Sequence, residues 1–375
     1  MKTNKSADIR KALLQKCSPL GIPVSGIFEL TPRCNLKCKM CYIRLTEKQI
    51  SSISPELTAE EWIEIGKICV DAGMVFLLLT GGEPTIRKDF ATIYEALAKM
   101  GLSITINTNG THITDEIKTI WHKYPPSQVN VTIYGASRDD YNELCGNPDA
   151  FDKVVDNLNW LKSENILIHL NTTIVPSNYH NWTKIEEFAK SNDFELRLTS
   201  YCFTPARRST VSDCTDFQRL SAEKAGELMA LDILYREGID AVKSRANNLS
   251  TSTLRGCELD NGEPIKCMAG SSQFWLTWNG QITPCGMLNE PSFNIIQDGF
   301  EKAWQKLKTA CSKITLCPEC SNCEHKMSCM NCAAVTFAET GNFDGKPIYM
   351  CDYNKAYRET LFKIIEAEDK IKATR

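Results

Sequence analysis

Cys34, Cys38 and Cys41 crowd into eight residues of the stretch Glu29-Leu-Thr-Pro-Arg-Cys-Asn-Leu-Lys-Cys-Lys-Met-Cys-Tyr42, directly after a short apolar run. Three thiolates can hold three irons of a cubane 4Fe-4S cluster and leave the fourth iron without a protein ligand, open to a small molecule. Cysteines gather again later in the chain, at Cys257, Cys267, Cys285, Cys311, Cys317, Cys320, Cys323, Cys329, Cys332 and Cys351. Residues 1–20 lack the apolar core of a secretory signal, and the longest apolar run, Met74 to Leu79, is too short to span a bilayer. A cytoplasmic location is therefore expected. In that reducing setting, clustered thiols among the 18 cysteines read as metal or catalytic sites rather than as disulfides.

The elements around the triplet alternate in type. Gly26 to Leu30 reads as a buried strand that delivers the cysteine loop at its C-terminal end. Glu56 to Ala72 has helical periodicity, with Thr58 as N-cap, Glu61 as its capping-box partner and Gly73 as terminator. Strands follow at Met74 to Leu79, Ser103 to Asn107, Val129 to Tyr134, Ile166 to Ile174 and Glu195 to Thr199. The helical stretches between them lie at Phe90 to Met100 and near 113–123, 151–163 and 180–191. Six such units in strict alternation predict an α/β chain with a parallel sheet, open or curled into a partial barrel, and ligands at the C-terminal strand ends. With 375 residues, 42% of them hydrophobic and 24% charged, the chain has room for one large domain and a smaller one. Its 43 basic and 46 acidic residues are mixed throughout, so neither a nucleic-acid nor a membrane partner is expected.

The spacing C-x3-C-x2-C followed by an aromatic, with Thr80-Gly81-Gly82-Glu83-Pro84 ending the next strand, resembles the radical S-adenosylmethionine (SAM) superfamily. The resemblance implies a partial (β/α)6 barrel over residues 26–212, with a 4Fe-4S cluster on Cys34, Cys38 and Cys41. It implies SAM contacts at Gly81, Gly82, Glu83 and Pro84, the Glu83 carboxylate receiving the methionine ammonium. Asn107-Thr-Asn109-Gly110, Val131-Thr132-Ile-Tyr-Gly135 and Asn171-Thr-Thr173 match places where the superfamily lines the SAM ribose and carboxylate. Asn109, Thr132 and Asn171 are carried over on that ground, with Tyr42 expected near adenine. Polar residues capping strands toward solvent would give the same pattern.

Residues 1–25 read as a lead-in and 213–253 as a helical linker. Cys267, twelve residues, Gly280, four residues and Cys285, then Cys320-x2-Cys323-x5-Cys329-x2-Cys332 and Cys351, resemble the SPASM extension, placed at 254–351 with a C-terminal helix at 352–375. The resemblance implies two auxiliary 4Fe-4S clusters, one on Cys257, Cys267, Cys285 and Cys332, the other on Cys320, Cys323, Cys329 and Cys351. The family pattern has three residues before the last cysteine of its central block and this chain has two, which leaves Cys317 and His325 as further candidates. Structural zinc is the alternative, although the five-residue spacer between Cys323 and Cys329 suits one tetrahedral site poorly. Cys17, Cys69, Cys145, Cys202, Cys214 and Cys311 read as ordinary small hydrophobes. Trp275 and Trp278 read as one face of a hairpin strand.

In this family, reductive cleavage of SAM yields a 5′-deoxyadenosyl radical that removes hydrogen from an unactivated C–H bond. With auxiliary clusters, the implied reaction is oxidation, a cross-link or dehydrogenation, of a ribosomally made peptide or protein. The implied partners are an external electron donor of flavodoxin or ferredoxin type and a separate leader-recognition protein, since only a short lead-in precedes the barrel. A small-molecule radical SAM dehydrogenase, a sulfatase-maturase-like protein oxidase and an iron–sulfur electron carrier are the alternatives. Gly286, where sulfatase maturases have an aspartate, disfavours the second of these. The general base is unassigned, with Arg197, Thr199 and Tyr201 near the sixth strand end as candidates.

Overall fold

The computed structural model describes residues 5–205, 214–249 and 267–374. One nine-stranded sheet of order β6-β5-β4-β3-β2-β1-β7-β8-β9 runs through the molecule. Its first six strands are β1 (Ser25–Glu29), β2 (Phe76–Thr80), β3 (Ser103–Thr108), β4 (Gln128–Thr132), β5 (Ile168–Thr173) and β6 (Glu195–Thr199), each parallel to the next. A short N-terminal helix, α1 (Lys5–Cys17), precedes β1, and α2 (Glu47–Ile53) and α3 (Ala59–Asp71) follow the cysteine loop. The later crossovers carry α4 (Phe90–Lys99), α5 (Asp115–Lys123), α6 (Arg138–Cys145), α7 (Ala150–Ser163) and α8 (Trp182–Ser191).

The predicted Thr58 to Glu61 capping box closes α3 as expected, satisfying two backbone donors that a helix N-terminus leaves over. The helices α2 and α6 were not anticipated. Each is only two turns long, too short for its periodicity to stand out, although Thr46 with Gln49 forms a second capping box at α2.

Burial alternates along β3, β4 and β5, so each strand has one face packed under helices and one face half-open. The packed face carries Ile104, Ile106, Val129, Val131, Ile168 and Leu170. The open face is polar, which is unusual for a parallel sheet covered on both sides. Strand register lines up Asn107, Asn130, His169 and Glu195 in one row and Thr132, Asn171 and Arg197 in the next.

The C-terminal region does not stand apart from this sheet. A seventh parallel strand, β7 (Gln273–Leu276), pairs with β1, and β8 (Gln281–Thr283) and β9 (Phe293–Asn294) continue from it antiparallel. Trp275 lies on β7 and donates its indole N–H to the buried Glu29 carboxylate at 2.7 Å. Trp278 falls beyond the strand instead of sharing its face, packing with Leu45 and Ile50. Helices α9 (Ala222–Glu237) and α10 (Ile239–Asn247) occupy the predicted linker, and the expected limits at 212/213 and 253/254 lie outside the described residues. Two short helices, α11 (Ile295–Asp298) and α13 (Pro318–Ser321), flank α12 (Phe300–Cys311), followed by α14 (Ala333–Thr340) and α15 (Ile348–Ala373). The long α15 lies along α9, where a Cβ at Gly226 would meet the Tyr353 carbonyl, so only glycine permits so close a crossing. Among the described residues no helix is long and apolar enough to cross a membrane.

Helix α9 also docks on α8 through buried charge. Arg236 pairs with Asp232, bonding its two carboxylate oxygens, and stands 3.7 Å from Glu186 on α8. Burial, reinforced by the Asp232 charge, pushes the Glu186 carboxyl up to about 7. In the unfolded chain this group loses its proton near the ordinary glutamate value, so stability should fall as pH rises from about 4.3 toward 7 and stay level above that. Chemical denaturation across this range should show that decline in the wild type and a flatter profile in Glu186→Gln.

Candidate functional site

The cysteine loop leaves the C-terminal end of β1 and is held on two sides by backbone. On one side the Gly82 N–H donates to the Thr31 carbonyl at 2.6 Å and the Glu83 N–H to the Arg33 carbonyl at 2.8 Å. A Cβ at Gly82 would overlap the Arg33 carbonyl oxygen, so the second glycine of Gly81-Gly-Glu-Pro84 is required by this contact. On the other side the N–H groups of Lys37 and Lys39 donate to the Cys145 and Leu144 carbonyls at 3.2 and 3.1 Å. Those carbonyls belong to the last turn of α6, where a helix leaves its acceptors unused, and Gly146 in the left-handed region (φ 68°) ends the helix there. Leu36 is buried between the two clamps.

In this loop the Cys34 sulfur lies within electrostatic reach of those of Cys38 and Cys41. Burial pushes the Cys34 thiol well above its ordinary value, the charge of Glu83 adding to the shift. Backbone donors reach the sulfurs, from Leu36 to Cys34 at 3.4 Å and from Arg44 to Cys41 at 3.2 Å, and the Asn109 amide lies 3.7 Å from Cys34 Sγ. Cys145 is no remote core thiol: its Sγ stands 3.5 Å from that of Cys38. Helix α6 was not foreseen, so its end could not be placed beside the triplet.

Glu83 does not turn toward an open site. It is fully buried, its carboxylate accepting from the Thr85 N–H and hydroxyl, the Thr108 hydroxyl and the Asn109 N–H, all within 3.1 Å. Burial raises its pKa and these four bonds oppose the rise. Three of these bonds fall on Oε1 and one on Oε2. Among the described residues no donor reaches the carbonyls of Gly81 or Gly82. Pro84 is buried and opens a single 3-10 turn after Glu83.

Asn109 holds the next loop, accepting from the Thr111 N–H and hydroxyl and donating to Asn35. Thr132, Asn171, Arg197 and Thr199 lie on the open face of the sheet, and no side-chain hydrogen bond among the described residues engages them. Tyr42 is half-buried beside Cys41 in the chain. Tyr201 is buried, its hydroxyl donating to Glu339 at 2.9 Å, so it ties the end of β6 to α14. Arg219 completes this junction with two bonds to Glu339, its guanidinium 4.0 Å over the Tyr349 ring.

The C-terminal cysteines form two further groups. Cys320, Cys323, Cys329 and Cys351 line one cavity of about 80 Å³ together with His325, Asn331 and Asn354. Cys317 adjoins this group, its Sγ 3.2 Å from that of Cys320. In the second group Cys285 is coupled to Cys332 and Cys267, and Cys311 to Cys267 and Cys285, so Cys311 also departs from the reading as an isolated hydrophobe. Burial pushes the Cys285 and Cys311 thiols up to about 12 and Cys329 to about 11, so a metal taken up at these positions displaces protons. Cys257 lies outside the described residues.

Residues 28–191 match the model of the Radical SAM superfamily. The AdoMet-dependent heme synthase of Methanosarcina barkeri is 27% identical over 84% of this chain and 93% of its own length. The sporulation killing factor maturation protein SkfB of Bacillus subtilis is 24% identical over 74% of this chain and 63% of its own. Streptococcus suis SuiB bound to its precursor peptide SuiA superposes with a TM-score of 0.65 at 19% identity, over 92% of this chain and 80% of SuiB.

Gly82→Ala tests the loop clamp. The added methyl should push the Thr31 to Arg33 backbone off β2 and lower the iron taken up per chain, while far-UV circular dichroism keeps the helical content unchanged.

Proposed function

Because residues 28–191 form a radical SAM domain, we propose that this chain is an oxidative maturase of a ribosomally made peptide, with two auxiliary clusters beside its barrel. The observation that carries the reading is the pairing of a clamped three-thiol loop at one strand end with a separate cavity lined by four cysteines.

The donor sets suit iron–sulfur ligation. Backbone N–H groups already point at the Cys34 and Cys41 sulfurs, as thiolate ligands require. A lone zinc ion needs its donors gathered about one point at about 2.3 Å from the metal. The cysteines of the C-terminal cavity are instead spread around it.

When bound, the cluster on the triplet supplies the electron that splits SAM into methionine and the 5′-deoxyadenosyl radical that takes hydrogen from the substrate. The protein's part is to hold and to shield. Cys34, Cys38 and Cys41 hold three corners, and the unbonded carbonyls of Gly81 and Gly82 offer acceptors for the ammonium of SAM. Asn109 stiffens the loop, while Thr132 and Asn171 present unengaged hydrogen-bonding groups for the rest of SAM, with Tyr42 beside adenine. Arg197 and Thr199, farther along the same open face, are placed to meet substrate. Cys320, Cys323, Cys329 and Cys351 hold one auxiliary cluster, and Cys267, Cys285 and Cys332 with Cys257 hold the other, Cys311 lying within reach of that set. A flavodoxin or ferredoxin type donor supplies electrons, and a separate protein recognises the leader.

The peptide reading draws support from SkfB and SuiB, whose names and titles record peptide maturation and a bound precursor peptide. A second reading, oxidation of a small molecule, draws on the M. barkeri heme synthase, which aligns over more of both chains than SkfB does.

Anaerobic co-expression with peptides encoded beside the gene separates the two. Mass spectrometry should show loss of two hydrogens from one peptide with the intact enzyme and none with the Cys34, Cys38 and Cys41 triple-alanine variant. Unchanged peptides, together with 5′-deoxyadenosine formation by the purified enzyme, would replace the peptide with a small molecule. Iron should stand at about 12 per chain for three cubanes, and a value near four would remove the auxiliary clusters.

A further inference from the structure

Asn109 lies 75 residues beyond Cys34 in the chain, yet its amide nitrogen stands 3.7 Å from Cys34 Sγ. The residue is buried, and its backbone N–H is tied to the Glu83 carboxylate at 2.6 Å. Its side chain belongs to a closed ring of three. The Asn35 amide donates to the Thr111 hydroxyl at 2.8 Å, that hydroxyl donates to Asn109 Oδ1 at 2.6 Å, and Asn109 Nδ2 donates to Asn35 Oδ1 at 2.9 Å.

A ring of two amides and a hydroxyl can run in either direction, because an amide turned end for end exchanges its donor and acceptor. One further bond decides the direction. The Thr111 backbone N–H, which can only donate, reaches the same end of the Asn109 amide at 3.0 Å, so that end is the oxygen. The nitrogen therefore faces Asn35 and Cys34. It carries two hydrogens, of which Asn35 takes one and the other is left for the sulfur. Asparagine and threonine side chains do not titrate, so the arrangement is the same whether the sulfur is a thiol or a thiolate. Asn35 sits between Cys34 and Cys38 in the loop, and the ring thus ties the donor to the segment that carries its acceptor.

We infer that Asn109 is a positioning residue that donates a hydrogen bond to Cys34 and raises the reduction potential of the cluster held by the triplet, with Asn35 and Thr111 fixing its orientation. The inference rests on the cluster placement proposed above. Reduction adds negative charge that spreads onto the cysteine sulfurs, so a donor there stabilises the reduced state more than the oxidised one. The amide eases entry of the electron and leaves the fourth iron open.

The test is a redox titration of the full chain, reconstituted anaerobically with iron and sulfide and followed by electron paramagnetic resonance. The part of the spectrum that changes on adding SAM isolates this cluster from the others. Asn109→Leu, close in volume but without a donor, should lower its midpoint potential with iron content unchanged. Thr111→Val removes the ring hydroxyl and leaves the amide in place, and should lower the potential by less. Asn331→Leu is the control, because the Asn331 amide stands 3.7 Å from Cys320 Sγ in a different cysteine group, so the SAM-responsive potential should keep its wild-type value. A wild-type potential in Asn109→Leu at equal iron content, or an equal fall in Asn331→Leu, would overturn the inference and leave the radical SAM reading intact. If Asn109→Leu takes up less iron, Thr111→Val decides: a lowered potential supports the inference, and an unchanged potential or a loss of iron there too overturns it in favour of bracing alone. A wild-type chain with no SAM-responsive signal would overturn the cluster placement itself, and the inference with it.

Discussion

The backbone clamp on the cysteine loop is the constraint on which the rest of the site depends. Eight residues carrying three thiols have no secondary structure of their own to fix them. They borrow it from two neighbours, the Gly81-Gly82 turn after β2 and the spent carbonyls at the end of α6. Each neighbour is anchored in turn. Glu83 draws donors from Thr85, Thr108 and Asn109, which locks the β2 and β3 loops together, and Asn109 reaches back to Cys34. A buried carboxylate with this many donors is costly to leave unsatisfied, so the network holds as a unit or fails as one.

The sheet solves a second problem, that of keeping a polar lumen inside an apolar fold. Alternation along β3, β4 and β5 sends branched aliphatic side chains under the helices, each contributing about 1.5–3 kcal/mol on burial, and frees the opposite face for Asn, Thr, His and Arg. The open face is not uniform. The Asn130 amide donates to Asn107 at 2.7 Å and His169 stands 3.5 Å from Glu195, whereas the row of Thr132, Asn171 and Arg197 has no such internal bonding. The first row is braced by its own bonds, and the second has hydrogen-bonding capacity left over.

Much of this was readable from the residues, and what was not has identifiable causes. Strands with continuous or alternating apolar character, and long amphipathic helices such as α3 and α7, announce themselves through periodicity and caps. The nearness of Cys145 and Cys311 to other cysteines did not, because it depends on which helix end packs beside which loop, and nothing local in Glu143-Leu-Cys-Gly146 or Thr309-Ala-Cys311 encodes a neighbour 107 residues earlier or 26 and 44 residues earlier. The setting of Glu83 was hidden for a related reason. A carboxylate after two glycines at a strand end reads as a ligand for an ammonium group, and nothing local shows that Thr108 and Asn109 on the next strand end also bond to it.

The cysteine-rich region is fixed to the sheet by two kinds of contact. Strand β7 extends the barrel sheet itself, with Phe274 packed against Phe28 at 6.4 Å and Trp275 bonded to Glu29, so the segment carrying Cys285 shares one hydrogen-bonded framework with β1 and the triplet. At the far edge, Tyr201 and Arg219 converge on Glu339 in α14, the helix that begins directly after Cys332. The two ends of the cysteine-rich region are thus fixed to opposite edges of the same sheet. Separating the region from the sheet would require breaking the β1–β7 ladder or splitting the Arg219–Glu339 pair, both costly steps.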